Sequence, residues 1–268
     1  MNEQAPELLA LATAVARAAG RLVRERREAV RRMPVSATKT TPTDVVTESD
    51  TAAEELIRER LLAARPGDGL VGEEGASVSG GSGVEWVVDP IDGTVNYLYG
   101  IPQYAVSIAA VVEGRVVAGV VHNPAGAETW TATRGGGAAL NGRPVRESGC
   151  DRLDRALVAT GFGYDPRRRA RQADLLRNVV PYVRDIRRAG AASLDLCAVA
   201  TGRVDAYYER GLMAWDLAAG GLIAEEAGAV VAGLRGAAAG EDLVIAAGPA
   251  LFTELHDLLE PLAPDRDG

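Results

Sequence analysis

Glu85-Trp86-Val87-Val88-Asp89-Pro90-Ile91-Asp92-Gly93-Thr94-Val95-Asn96 is the stretch whose reading decides the fold. Trp86 to Val88 is an apolar run and reads as a buried strand. Pro90 cannot donate to a sheet ladder and biases Asp89 toward extended geometry, so the strand is expected to stop at Asp89-Pro90. Asp89 and Asp92 then share a turn closed by Gly93, and Thr94 opens the next helix. The amides of Gly93 and Thr94 fall where a helix N-terminus attracts anions. Two acids beside an anion cradle repel one another unless a cation lies between them. The pattern points to a hard metal holding a phosphate.

The rest of the composition fits a globular protein. The chain has 268 residues, 47% of them hydrophobic, enough to bury a sizeable core as one large domain or two small ones. A formal net charge of −8 argues against a general nucleic-acid-binding surface. Cys150 and Cys197 give neither a disulfide framework nor zinc spacing, which suits a reducing compartment. Nothing at the N-terminus reads as a secretory leader, and no apolar run reaches the roughly 18 residues of a membrane-spanning helix. A soluble cytoplasmic protein is expected. Among 29 basic residues Lys39 is the only lysine. In a chain so biased to arginine, that position calls for a compact, strongly hydrated ammonium rather than a planar fork.

Outward from the central turn, the first half reads as two helices followed by an antiparallel sheet. Pro6 to Arg32 carries Leu8, Leu11, Ala12, Val15, Ala19, Leu22 and Val23 near a 3.6-residue period. Its arginines, from Arg21 to Arg32, read as a solvated face. Ser36 to Thr43 is a polar loop with Pro42. Asp44 to Asp50 leads into a second helix whose inner face is Ala53, Leu56, Ile57, Arg60, Leu61 and Ala64, and Asp50 reads as its capping acid. Val71-Gly72-Glu73-Glu74-Gly75 is a turn, and Ser77 to Gly83 a Gly/Ser linker that need not be ordered. Tyr104–Val112, Arg115–Val121, Thr129–Thr133 and Ala138–Val145 form a meander with turns at Glu113-Gly114 and Asn141-Gly142.

The second half alternates strand and helix, which implies a sheet with helices on its faces. Strands are expected at Ala156–Thr160, Asp185–Arg188, Asp205–Glu209, Ala229–Ala232 and Leu243–Ala247. Helices are expected at Arg167–Tyr182, with Ala170, Leu175, Leu176, Val179 and Val180 facing in, and at Ser193–Thr201, Leu217–Ala227 and Pro249–Leu259. Gly228 stands just past the end of the third of these, where helices commonly stop. Trp215-Asp216 begins that helix and reads locally as packing plus a cap.

Taken together, Asp89-Pro90-Ile91-Asp92-Gly93-Thr94, the upstream Gly72-Glu73-Glu74-Gly75 turn and the downstream Trp215-Asp216 resemble the inositol monophosphatase family. So do Asp44-Val45-Val46-Thr47-Glu48-Ser49-Asp50, the segment Arg188 to Cys197, and Asp205-Ala206-Tyr207-Tyr208-Glu209. Order and spacing match along nearly the whole chain. The resemblance implies an α/β fold, a layered αβαβα sandwich of the sugar-phosphatase type. Residues 1–150 would form an α+β half carrying most metal ligands and an antiparallel sheet. Residues 151–268 would form an αβα half with a mixed sheet, packed with the first as one unit.

The same resemblance implies a phosphomonoesterase using two or three Mg²⁺ ions. Glu73, Asp89 and the carbonyl of Ile91 would bind the first ion; Asp89, Asp92 and Asp216 the second; Glu73 would also touch a third and so count among the catalytic groups. Thr94, paired with Asp50, would orient and help deprotonate the attacking water. The Gly93 and Thr94 amides would hold phosphate oxygens, Lys39 would reach over the metals from a mobile loop, and Glu209 would contact inositol hydroxyls. Ala191 stands near the substrate where the family pattern leads one to expect serine or threonine, so a hydroxyl that could bond a polyol is missing. Independently of the family, oxygen-only ligands suit magnesium, and no His or Cys lies near the motif to suit zinc.

Three readings follow. The first is hydrolysis of an inositol monophosphate. The second keeps the chemistry but takes histidinol phosphate, a nucleotide 3′-phosphate or a sugar bisphosphate. The third, of another class, is a binding partner of RNA polymerase or RNA, motivated by the arginine clusters Arg21–Arg32 and Arg167–Arg171 and opposed by the net charge. A homodimer and inhibition by lithium are expected from the resemblance, with no membrane association.

Overall fold

The computed structural model describes residues 3–30, 34–39 and 45–266. Arg31, Arg32, Pro42, Thr43 and Asp44, which entered the reading above, lie outside them. The chain runs through helix α1 (Ala5–Glu28), a short antiparallel pair β1 (Ala37–Thr38) and β2 (Val45–Val46), α2 (Glu48–Ala64), β3 (Gly69–Gly72), β4 (Ser77–Val78), β5 (Val84–Asp92), α3 (Thr94–Tyr99), β6 (Ala105–Val112), β7 (Arg115–Asn123), β8 (Glu128–Thr133), β9 (Gly137–Leu140) and β10 (Arg143–Pro144). It continues through β11 (Leu157–Thr160), α4 (Pro166–Val179), β12 (Asp185–Arg187), α5 (Ala192–Ala200), β13 (Ala206–Glu209), α6 (Ala214–Glu226), β14 (Val230–Ala232), β15 (Val244–Ala247) and α7 (Pro249–Leu259).

Two sheets and three helical layers stack in the expected order. The first sheet has eight strands, in the order β10-β9-β8-β7-β6-β5-β3-β4, all antiparallel but for the parallel pair β3 and β5. Its outer face takes Leu8, Ala12, Val15 and Ala19 of α1 and Ile57 and Leu61 of α2 against Trp86, Val88, Val106 and Ile108. Its inner face packs Val87, Ala105, Ala109 and Trp130 against α5 and α6. The other side of α5 and α6 meets Ala159, Tyr207, Val244 and Ala246 of the five-stranded sheet β12-β11-β13-β15-β14. That sheet is mixed, with β11 parallel to both neighbours. Its far face is covered by Val179 of α4 and Leu251, Leu255 and Leu259 of α7.

Helices α5 and α6 lie between two sheets, which explains why they are apolar around most of their circumference. Contact there is close. A Cβ on Gly119 of β7 would stand 3.0 Å from Cα of Ala219 in α6, so glycine lets the helix backbone lie on the sheet.

Several local expectations are corrected. Strand β5 does not stop at Asp89-Pro90 but runs on to Asp92, with its register against β6 shifting between Asp89 and Asp92. Proline is tolerated because the ladder is irregular there. Ser77–Val78 is an edge strand on β3, not an unordered linker, and Ala37–Thr38 pairs with β2 inside the expected loop. Helix α1 ends at Glu28. On α2, Arg60 and Ala64 are exposed, while Glu54 is buried. Ala170 on α4 and Val180 just past its end are exposed, because this arginine-rich helix covers the sheet with a single buried residue, Val179.

One polar knot ties the start of β5 to α2. Asp68 is buried and accepts from Trp86 Nε1 (2.9 Å), Arg65 Nε (2.5 Å) and Ser82 Oγ (2.6 Å). Arg65 is partly exposed and can turn to water, but Trp86 Nε1 is buried and would lose its acceptor. Asp68→Ala is therefore expected to lower stability by about 1–3 kcal/mol, measured as a shift in the urea midpoint at unchanged slope. A change below about 1 kcal/mol would show that the knot is solvated.

Candidate active site

The site forms where the ends of four elements meet, and each acid is fixed by a backbone feature of its own element. Asp89 and Asp92 stand on the irregular end of β5, and Ile91 N donates to Asp89 Oδ1 (3.0 Å). Asp92 reaches across to the start of α5, accepting from Ala192 N (3.2 Å), Ser193 N (2.8 Å) and Ser193 Oγ (2.5 Å). Asp216, in the first turn of α6, accepts from Met213 N (2.7 Å). Asp89, Asp92 and Asp216 each place a carboxylate oxygen within 4.8 Å of the others.

Glu73 joins this group from the turn after β3, sharing a hydrogen bond with Asp89. That turn is held by buried Glu54, which accepts from Glu74 N (2.9 Å) and Ala76 N (3.0 Å). A Cβ on Gly72 would lie 2.2 Å from the Glu54 carboxylate, so a side chain there would push Glu54 off the amides it holds. Lys39 donates to Glu73 (2.8 Å) and Glu74 (2.9 Å). Burial works against its ammonium, but the two glutamates outweigh it and hold its pKa above the ordinary lysine value.

Gly93 has φ 88°, and a Cβ there would meet Gln103 O at 2.8 Å and Ala191 Cβ at 3.1 Å. The left-handed turn and the close approach both require glycine. Thr94 follows as the first residue of α3. Its hydroxyl donates to Ile91 O (3.0 Å) and faces Asp50 Oδ1 at 3.3 Å. Asp50 is indeed a capping acid: it accepts from Thr47 N (2.8 Å) and Thr47 Oγ1 (2.5 Å), closing a capping box on α2. The same carboxylate thus serves the helix with one oxygen and Thr94 with the other.

Glu209, at the end of β13, accepts from Tyr207 OH (2.6 Å) and lies beside Arg188 and Asp195. Ala191 is buried at the start of α5. Asn96 ties its segment to the central turn, donating to Ala189 O and Gln103 O, both at 2.8 Å.

All the residues expected at the site are therefore brought to one region. Sequence reasoning missed Ser193, Glu54 and Asn96, which position the acids or the turn. Ser193 carried a faint signal, as a hydroxyl in the first turn of a helix that follows Gly190.

The electrostatics are unfavourable as they stand. At an effective dielectric near 20, two ionised carboxylates about 4.8 Å apart repel by roughly 3.5 kcal/mol. A helix N-terminus returns only about 0.3–2 kcal/mol. Burial, then Glu73, Asp92 and Asp216, pushes Asp89 well above the carboxylate range; burial, then Asp92 and Glu73, does the same to Asp216. Burial raises Asp92 to about 6 against the pull of Ser193, and Asp50 to about 6 against the pull of Thr47. Glu209 is raised to about 7, again by burial. Protons or cations must neutralise the cluster, and an all-oxygen donor set suits a hard divalent ion.

Residues 4–263 match the inositol monophosphatase family. The chain belongs to that family. Membership makes it a phosphoric monoester hydrolase by class. Among its relatives, the inositol-1-monophosphatase SuhB of Mycobacterium tuberculosis is 52% identical over 232 residues, 83% of this chain and 80% of the relative. The Nus factor SuhB of Pseudomonas aeruginosa is 44% identical over 239 residues, covering 85% and 86%. The crystal structure of the extragenic suppressor protein SuhB from Bartonella henselae superposes with a TM-score of 0.89 at 38% identity, covering 95% of this chain and 98% of that one. The family fold is thus present over 95% of the chain. No helix among the described residues is long and apolar enough to cross a membrane.

The raised carboxyl pKa values predict a pH dependence. Each such group binds its proton more tightly folded than unfolded, where its pKa is about 4. Their stabilising contribution is complete below about pH 4 and is lost as pH rises through 6 to 7 and beyond. In chelator, the melting temperature should fall between pH 5.5 and 8, and a divalent cation should restore more of it at pH 8 than at pH 5.5. A chelated melting temperature that climbs across this window would contradict the assignment.

Proposed function

We propose that this protein is a Mg²⁺-dependent phosphomonoesterase acting on an inositol monophosphate. The observation that carries the reading is the triad Asp89, Asp92 and Asp216, oxygen donors within 4.8 Å of one another beside the Gly93-Thr94 turn. Asp89, Glu73 and the Ile91 carbonyl would hold one ion, and Asp89, Asp92 and Asp216 a second, with Glu73 available to a third. Bound there, magnesium would lower the pKa of a water and stabilise the departing alkoxide.

The chain's own groups do the rest. The amides of Gly93 and Thr94 lie at the start of α3 and suit phosphate oxygens. With its own hydrogen turned from Ile91 O to Asp50 Oδ1, 3.3 Å away, Thr94 Oγ1 can accept a proton from the attacking water while passing its own to Asp50. Asp50, raised to about 6, is a better base near neutral pH than an ordinary aspartate. Glu209 offers an acceptor to substrate hydroxyls. Lys39, on Glu73 and Glu74, adds a positive charge at the open side.

Ala191, without a hydroxyl, weakens the case for inositol more than for hydrolysis. Histidinol phosphate, a nucleotide phosphate or a sugar phosphate is the alternative within the same chemistry. The name of the Pseudomonas relative favours a second reading, partnership with the transcription machinery, in which the acids would be dispensable. A homodimer and lithium sensitivity belong to the first reading.

Phosphate release from inositol 1-phosphate should need Mg²⁺ and stop on chelation. Asp92→Asn should lower kcat by at least ~100-fold with the fold intact, and Ser193→Ala should raise the Mg²⁺ requirement by about 10–100-fold, as loss of a ligand's hydrogen-bonded neighbour does. Wild-type turnover by metal-saturated Asp92→Asn would remove the assignment. Capture of RNA polymerase undiminished by Asp92→Asn, with no phosphatase activity in the wild type, would favour the second reading.

A further inference from the structure

The five-stranded sheet holds a cavity that borders the active site at Glu209 and whose other lining residues the chemistry above does not use. Its strand order places β11 between β12 and β13. The chain leaves β11, reaches β12 through α4 on one face, and returns to the other side of β11 at β13 through α5 on the opposite face. In open α/β sheets, such a reversal opens a crevice outside the carboxyl ends of the two strands, where ligands commonly bind. A cavity of about 210 Å³ lies at that place, bounded by Thr160 at the end of β11 and by Tyr208 and Glu209 at the end of β13.

Its chemistry is cationic. Arg168 and Arg171 from α4, Arg210 after β13 and Arg266 near the C-terminus line it, against the acids Asp174 and Glu209. Glu209, raised to about 7, carries only part of its charge at neutral pH. Arg168 lies along Gly163 and Gly211, where a Cβ would stand 3.1 Å from its Cδ and 2.6 Å from its Nη1. Its guanidinium is engaged by no acceptor among the described residues. Arg171 turns one Nη1 to Arg266 O (3.1 Å) and keeps its other donors. Tyr208 is 3% exposed, and its hydroxyl lacks a partner of good geometry, with Thr160 alongside. Burial holds that phenol at about 12, so it stays protonated and able to donate. The guanidinium forks of Arg168 and Arg171 around one small space match the several acceptor oxygens of a phosphate group.

We propose that this cavity is a second anion-binding site, separate from the carboxylate cluster, that takes a phosphate-type group through Arg168 and Arg171. The group belongs either to a free phosphate ion or to the far end of a substrate that carries two. The site stands whether or not the carboxylate cluster is a phosphatase centre.

The test uses the full-length protein with Mg²⁺ present. Equilibrium dialysis against radiolabelled inorganic phosphate should find two phosphates per chain in the wild type. Arg168→Ala and Arg171→Ala should each weaken one of them at least 10-fold, with melting temperature and fructose 1-phosphate turnover unchanged, and Arg168→Lys should recover part of the loss. No bound phosphate in the wild type, or phosphate binding that neither alanine variant alters, would overturn the site; a single phosphate weakened by both variants would still uphold it. A KM for fructose 1,6-bisphosphate raised by Arg168→Ala, with that for fructose 1-phosphate unmoved, identifies the occupant as the substrate's second phosphate. Unmoved KM values together with a lost second phosphate identify it as the free ion, and both results uphold the site. Absence of Mg²⁺-dependent phosphate release from either ester would count against the phosphatase reading and leave the dialysis result to decide this one.

Discussion

Mutual repulsion among Asp89, Asp92, Asp216 and Glu73 is the constraint to which the rest of the structure answers. These groups come from β5, α6 and the turn after β3, and left to themselves they would separate. Backbone geometry holds them: Asp92 on the first amides of α5, Asp216 on the amide of Met213, Asp89 on the amide of Ile91, and the Glu73 turn on the buried carboxylate of Glu54. Each anchor is local and modest, but each is also embedded in a layer that cannot slide without breaking a core. The sandwich supplies the rigidity that charge repulsion would otherwise defeat.

The five layers and the site sit together for a reason of topology. Helices α5 and α6 form the middle layer, and both begin at the site, so their N-termini face the acids with positive dipole ends. The strands on either side end there too: β5 from the first sheet, β13 from the second. A site built at the junction of two sheets draws its groups from distant parts of the sequence, and any ligand held there contacts both halves.

Much of this was legible in the sequence because the informative features are local. Gly93 after Asp92, the helix start at Thr94 and the Trp215-Asp216 pair each carry their meaning within a few residues. The alternation of strand and helix after residue 156 fixed the second sheet's class in the same way. What escaped reading depends on distant partners. Glu54 looks like any surface glutamate of α2 until Glu74 and Ala76 fold over it. Pro90 looked like a stop because the shift in pairing with β6 that accommodates it is a property of two strands, not one. Ala170 and Val180 looked buried because helical period says which residues share a face, not how much of that face a neighbour covers. The cavity beside Arg168 was invisible for a related reason: α4 and the C-terminal residues that enclose it are some ninety residues apart in the chain.

The close seat of α6 on β7 has a consequence that reaches past packing. Gly119 carries no charge and touches no acid, yet the helix resting on it is the one that presents Asp216. A methyl group added there would lift the helix by a few tenths of an ångström and carry one oxygen donor away from the other two. Divalent ions judge a binding site by just such small differences in separation, so the choice among ions that the three oxygens could hold would be written partly in the side-chain-free positions of a strand that never meets them.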